Sequence, residues 1–341
     1  MQQTLKILKI LFSSIAIFFA AMLVWLSFLD GQFRVSQTVT INHSKEEIGR
    51  IVHQLQTWES WSPWLNSGVT PNTVHQGCNL TWQHILAGEV LLTNMEHKKG
   101  TQTDTIVQTL NFGKPFECST LLQWQICQVD STTSTVQLTM AGSLPFQYRY
   151  LARRMETILF MDLDRSMKLL KDYVENGVIN SKITIEGISQ QPDRYLIGLK
   201  NRCTSQALDS AMHETFVELT RLLELNNIPI TQTLSCYYDF GINANKQCEF
   251  MCAAITPEPI KKAEIPTALV SGKIKGSKTL KINYTGDYKH LGNAWVTGLT
   301  YIRAKGLKVR RRIPPYEIYI HTDANSSAPQ EWKTELYIPL R

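Results

Sequence analysis

The chain has 341 residues, of which 43% are hydrophobic and 19% charged, so it is globular and not disordered. Its formal net charge of +6 is mild for this length and lacks the concentrated basic stripe of a nucleic-acid binder. Seven cysteines without paired CxxC spacings exclude a zinc ribbon or finger, and no metal ligand set or cofactor motif is found.

The first element is an apolar run, Ile10 to Leu29, bounded by Lys9 and Asp30. As a helix it is ~30 Å long, the thickness of a bilayer hydrocarbon core. It continues apolar past Ala20 and Ala21 and ends in Ser27-Phe28-Leu29, a poor cleavage site, which favours an anchor over a cleaved signal. Lys6 and Lys9 precede it, so the positive-inside rule places residues 1–9 in the cytoplasm and the rest outside. In a bacterium that is a single-pass inner-membrane protein with periplasmic domains.

Residues 33–176 read as a strand with Val35, Gln37, Val39 and Ile41 on one face, then a helix entered through Asn42–Ser44 and running to about Gln56. Three tryptophans follow in Trp58-Glu59-Ser60-Trp61-Ser62-Pro63-Trp64, read as an aromatic lid over a core. Strand patterns follow at 80–84, 88–96, 103–112, 117–129 and 135–141, and a helical pattern runs from Tyr148 to Val174. His84 and Glu89 lie in strand runs, where lone polar residues usually face water. With Val39-Thr40-Ile41, Thr81-Trp82 and the ending Met167 to Glu175, this segment resembles the polyketide cyclase/START-like (SRPBCC) superfamily. The resemblance implies a helix-grip fold around an apolar cavity, with Trp64 as a candidate ligand contact and no assignable acid–base pair.

Residues 181–341 read as strand–helix–strand–strand, twice. The first copy has strand runs at 183–188 and 195–200, a helix from Gln206 to Leu225, and strands at 229–240 and 247–255. The second has a strand within 268–284, a helix from Tyr288 to Lys305, and strands at 316–321 and 332–339. Two such units pair their sheets about a pseudo-twofold axis, and the seam is a natural pocket. Cys236 and Cys252 lie on consecutive strand runs and are candidates for opposite positions in a hairpin. The basic run Lys305, Lys308, Arg310, Arg311 and Arg312 is either a solvated helix end and loop or a contact for anionic lipid headgroups.

Strand alternation places Lys333, Glu335 and Tyr337 on one face and Trp332, Thr334, Leu336 and Ile338 on the other, more apolar one. With Tyr288 and Tyr319 from the facing unit, Glu335 and Tyr337 make a candidate aromatic cage for a cation. The competing reading is a surface pair between Glu335 and a lysine, worth under ~1 kcal/mol. Thr285-Gly286-Asp287-Tyr288, Trp295, Pro315-Tyr316-Glu317-x-Tyr319 and Trp332 to Leu340 resemble the GyrI-like effector-binding domain of bacterial multidrug sensors. That resemblance implies a strand glutamate, matched to Glu335, in an aromatic-lined cleft for cationic lipophilic ligands. Some relatives are hydrolases, in which the glutamate would act as a base.

The expectation is an α+β chain: a transmembrane helix, a START-like domain and a duplicated GyrI-like domain. Its function is small-molecule binding, with a hydrophobic ligand in the first domain and a cationic or amphipathic one in the second. A Glu335 hydrolase and a ligand-free scaffold remain as alternatives. Residues 1–180 show no helix-turn-helix, and nucleic acid is not expected as a partner.

Overall fold

The computed structural model describes residues 2–65, 72–84, 87–114, 116–204, 207–240, 247–260, 265–322 and 328–341. Helix α1 (Gln2–Ser27) contains Lys6–Ser27, the one stretch among the described residues long and apolar enough to cross a membrane. Its apolar window is fully exposed, with 0% buried inside the protein. The helix stops two residues before the apolar run does, where the Phe28 and Leu29 amides close turns onto Trp25 and Leu26.

The chain divides into two compact units, residues 1–58 with 71–167, and residues 59–70 with 168–341. The first carries β1 (Gln32–Ile41), α2 (Lys45–His53), β2 (Thr73–Gln76), β3 (Asn79–His84), β4 (Gly88–Lys98), β5 (Thr103–Phe112), β6 (Cys118–Gln128) and β7 (Ser134–Ser143). A short α3 (Trp58–Trp61) and the long α4 (Ala152–Asn176) span the division. The seven strands form one sheet in the order β1-β7-β6-β5-β4-β3-β2, with every pairing antiparallel. Ser44 caps α2 by accepting from the Glu47 amide, with Glu46 and Glu47 in the first turn where the helix dipole favours them. Trp58, Trp82 and Trp124 are buried. Trp58 donates to the Val52 carbonyl (2.9 Å) and Trp124 to Gln108 (2.8 Å), so both indoles are burial-competent. His84 does not face water freely: it is half-buried, and burial pushes its pKa down while Asp162 opposes the shift.

The second unit's strands are β8 (Ser181–Gln191), β9 (Arg194–Thr204), β10 (Gln232–Phe240), β11 (Gln247–Thr256), β12 (Val270–Ile274), β13 (Ser277–Gly286), β14 (Tyr316–His321) and β15 (Lys333–Pro339). Helix α5 (Leu208–Leu225) follows β9, and α6 (Leu291–Ala304) follows β13. The sheet order is β12-β9-β11-β10-β14-β15-β13-β8. The first repeat has both leading strands expected from its runs at 183–188 and 195–200, β8 and β9, and the second gains one, because the run within 268–284 divides into β12 and β13. The leading strands are exchanged: β8 pairs with β13 of the second repeat and β12 with β9 of the first. The repeats join where β10 meets β14, at the centre of the sheet.

Helices α5 and α6 cover one face. Leu219 and Leu223 pack with Ile197, Phe250, Cys252 and Ala254, while Leu291, Ala294 and Ile302 pack with Leu280, Ile282, Leu336 and Ile338. At Gly298 the helix rests directly on the sheet, since a Cβ there would lie 2.3 Å from Ile282 Cδ1 and 3.0 Å from Ile338 Cδ1. The opposite face carries Leu234, Cys236, Met251, Tyr316, Ile318 and Tyr337.

The β10–β11 register shows that Cys236 and Cys252 are not opposite each other in the hairpin. Cys236 lies opposite Met251, and Cys252 opposite Ser235, so the two thiols point to different faces. Cys203 and Cys248 are direct cross-strand neighbours instead, and all seven cysteines are free thiols.

Candidate functional site

The six-residue strand β14 supplies the central carboxylate, Glu317. Glu317 and Tyr319 point to the helix-covered face, and Tyr316 and Ile318 to the other. Glu317 is 1% exposed. Its Oε2 accepts from the phenols of Tyr319 (2.7 Å) and of Tyr237 on β10 (2.9 Å). Its Oε1 accepts from the Trp295 indole on α6. Ser235, directly opposite Glu317 on β10, lies 3.0 Å from the Tyr319 oxygen. Further rings complete the wall: Phe216 of α5 and Tyr288 each meet Tyr319 edge-on at 5.5 Å, Trp295 meets Tyr237 at 5.5 Å, and Trp332 lies 4.6 Å from Tyr288.

This is a buried carboxylate held by three neutral donors. Burial pushes its pKa up, and the three hydrogen bonds oppose the shift. A second carboxylate, Asp209, also raises it. The same burial, with Glu317 adjacent, raises the Tyr237 and Tyr319 phenols well above their ordinary value. An ionised carboxylate in such surroundings is destabilised unless a cation or further hydrogen bonds compensate it. Chemically the arrangement is an anionic centre walled by aromatic faces, which suits an organic cation.

Glu335 sits in a different place. On β15 it lies opposite Ile318, whereas Leu336 lies opposite Glu317, so the two glutamates occupy opposite faces of the sheet. The Glu335 side chain is 24% exposed, and Lys281 of β13 pairs with its Oε1 at 2.6 Å. The Tyr337 phenol donates to its Oε2 (2.6 Å). Tyr337 stacks on Tyr316 with ring centres 4.8 Å apart, and the Arg194 guanidinium lies 5.5 Å from the Tyr337 ring. The cations in this array are the protein's own.

The single expected cage of Glu335, Tyr337, Tyr288 and Tyr319 therefore divides into two clusters. The sheet register is the cause, because Tyr288 and Tyr319 stand with Glu317 on the helix side. The alternation along β15 is as expected, with Thr334, Leu336 and Ile338 buried on the apolar face. Trp64 lies on another segment, half-buried in the turn after α3, with its amide donating to Ser62 Oγ (3.4 Å). Sequence reasoning passed over Glu317 as the anionic centre. One signal distinguishes the two: Glu335 has Lys333 two residues away on its own face, while the corresponding neighbours of Glu317 are Pro315 and Tyr319.

Residues 187–341 match the family model of the GyrI-like small molecule binding domain. This part of the chain is a GyrI-like domain. The match takes in the whole of the Glu317 cluster, from Phe216 and Tyr237 to Trp295, Tyr319 and Trp332. No curated protein matches the chain. Among solved structures, the EcmrR–DNA complex is similar at 16% identity and a TM-score of 0.40, covering 57% of this chain and 70% of that one. The EcmrR C-terminal domain is similar at 14% and 0.37, covering 47% and 98%. A putative transcription regulation protein from Staphylococcus aureus MU50 is similar at 17% and 0.35, covering 46% and 99%. Likeness at this level says nothing about the function of this chain.

One expectation is corrected by these comparisons. Nucleic acid was not expected as a partner, yet a structure that the chain resembles is a complex with DNA. The matched region is the GyrI-like domain; the first unit's START-like reading has no family match.

Proposed function

We propose that the chain is a membrane-anchored small-molecule binding protein whose GyrI-like domain takes an amphipathic cation at Glu317. One observation carries this reading: a fully buried carboxylate bonded by two phenols and an indole, with no cation paired to it among the described residues. A bound cation supplies the compensation that the fold leaves out. Tyr288, Tyr319, Tyr237, Phe216 and Trp295 offer it aromatic faces. Because Glu317 is closed off from solvent, entry requires the aromatic wall to open, in the manner of a sensor that changes shape on binding.

The first unit is proposed as a START-like domain for a hydrophobic ligand. Its support is the element order, one strand, two short helices, a six-strand meander and a long helix, with β1 paired to β7. An open surface depression lined by Phe33, Arg34, Ala141, Gly142 and Glu156 lies at that edge. Helix α1 supports an inner-membrane anchor, with the two domains on the periplasmic side as the charge bias around the span predicts.

Titration of the full chain in non-ionic detergent with tetraphenylphosphonium tests the cation site. Glu317→Gln is expected to weaken binding by at least ~10-fold, and Glu335→Gln by less than ~2-fold. Equal affinity in wild type and Glu317→Gln overturns the assignment, and loss in Glu335→Gln alone returns the site to the other face.

A further inference from the structure

The basic run that the cation site leaves unused has a second feature visible only in three dimensions. Arg310, Arg311 and Arg312 converge with Arg341 on one cavity of about 500 Å3. Residues 310 and 341 are brought together by pairing at the end of β15. Val309 forms a single bridge with Leu340, the Arg310 amide donates to Pro339 (2.8 Å), and the Arg341 amide donates to Lys308 (2.9 Å). Arg311 and Arg312 occupy a turn closed by the Ile313 amide onto Arg310 (3.1 Å). Ile313 is buried in the core of the second unit, and Pro314 and Pro315 follow it, which ties the turn down. The four arginines are therefore mounted on anchored backbone, although their side chains are exposed.

Among the described residues, no carboxylate forms an ion pair with any of the four. Arg50, Arg165, Arg202 and Arg221 are paired with Glu47, Asp162, Glu249 and Glu218, whereas exposed Arg34, Arg153, Arg154 and Arg303 also form no ion pair among the described residues; what sets the four apart is that they line one cavity together. Four uncompensated like charges around one concavity repel one another, and a multivalent anion relieves that repulsion. The donor set specifies which anion. Each guanidinium presents a planar fork of N–H donors, and one fork satisfies a carboxylate. Four forks require an anion with more oxygens and more charge, which phosphate groups provide. The convergence on one cavity suits a compact ligand. A nucleic-acid backbone spaces its phosphates along a track and calls for an extended stripe.

We propose that Arg310, Arg311, Arg312 and Arg341 form a binding site for a compact phosphate-bearing ligand, either a soluble diphosphate or the headgroup of an anionic phospholipid. The site is separate from the Glu317 cluster and opposite to it in charge.

The test uses the full chain in non-ionic detergent at low salt and calorimetric titration. One arm uses inorganic pyrophosphate; the other uses short-chain phosphatidic acid carried in the micelles. Saturable binding of pyrophosphate identifies a soluble source, and binding of the lipid alone identifies a headgroup; either supports the site. The double variant Arg310→Gln/Arg312→Gln and the single variant Arg341→Gln are each expected to weaken binding by at least ~10-fold. Arg221→Gln, which removes the same charge elsewhere, is expected to leave it within ~2-fold. Because these side chains are exposed, the thermal unfolding midpoints of all variants should match wild type, and a variant that unfolds early is replaced by Arg311→Lys, which keeps the charge and loses the fork. Three results overturn the proposal: neither probe binds, the arginine variants bind as tightly as wild type, or citrate binds as well as pyrophosphate. A single-stranded oligonucleotide that binds more tightly than both probes and is not displaced by pyrophosphate also overturns it, in favour of nucleic acid.

Discussion

The two faces of the second unit's sheet hold the same ingredients and resolve them differently. Each has a strand glutamate beside tyrosines, Glu317 with Tyr319 and Tyr237, and Glu335 with Tyr337 and Tyr316. On the face opposite the helices Lys281 neutralises the carboxylate and Arg194 covers the rings. On the helix-covered face the carboxylate has phenol and indole donors and, among the described residues, no cation paired with it. Proximity of a carboxylate to aromatic rings is thus insufficient to mark a cation site. What marks it is compensation left incomplete by the protein itself.

The largest contrast is expected in stability. Glu317→Ala strands three buried donors at once and should cost about 3 kcal/mol in urea unfolding. Glu335→Ala removes a partly exposed pair and should cost under ~1 kcal/mol in the same measurement. Similar costs for the two variants would break the comparison.

The packing that separates the faces is tested at Gly298. A methyl group there meets Ile282 and Ile338 and has no space to occupy, so Gly298→Ala should cost about 2 kcal/mol by thermal unfolding. It should also move the Trp295 indole away from Glu317, which a change in tryptophan fluorescence would report.

A pH series sharpens the electrostatic half of the contrast. The pKa of Glu317 is raised above its ordinary 4.5, so between that value and the folded-state value the native chain holds more protons than the unfolded one. Its contribution to stability therefore falls as pH rises through this window. Affinity for a lipophilic cation should run the other way, rising with pH as the carboxylate ionises, and Glu317→Gln should flatten that dependence. The smallest effect concerns the Glu335 face. Lys281→Gln leaves Glu335 without its cation, and weak binding of tetraphenylphosphonium should appear there, detectable in a Glu317→Gln background. No gain would show that more than compensation distinguishes the faces.

Much of the secondary structure was legible from one-dimensional pattern. The strand run 316–321 coincides with β14, and the run 247–255 ends one residue short of β11. Helix patterns began a few residues early at α5 and α6, where a short 3-10 turn over Tyr288–His290 precedes the latter. The duplication was legible too, but the exchange of β8 and β12 was not, because strand order depends on pairing between distant segments.

The site was legible in its parts and not in its assembly. Tyr288, Tyr319 and Trp295 could each be singled out, and period-2 alternation assigned Glu335 and Tyr337 to a common face correctly. Which face of β15 shares a side with Tyr319 depends on the β14–β15 register, where Ile318 opposes Glu335 and Leu336 opposes Glu317. A shift of one residue reverses every such assignment. The same one-residue offset separated Cys236 from Cys252.

The sequence alone determined the apolar helix, the repeat, the strand faces and the presence of several carboxylates among aromatic residues. These follow from local periodicity and from the burial preferences of single side chains. Only the tertiary structure decided which carboxylate is buried without a cation, and that Arg341 joins Arg310, Arg311 and Arg312 around one cavity. Charge compensation acts between side chains a few ångströms apart in space, and that distance is set by register and packing across segments far apart in the chain.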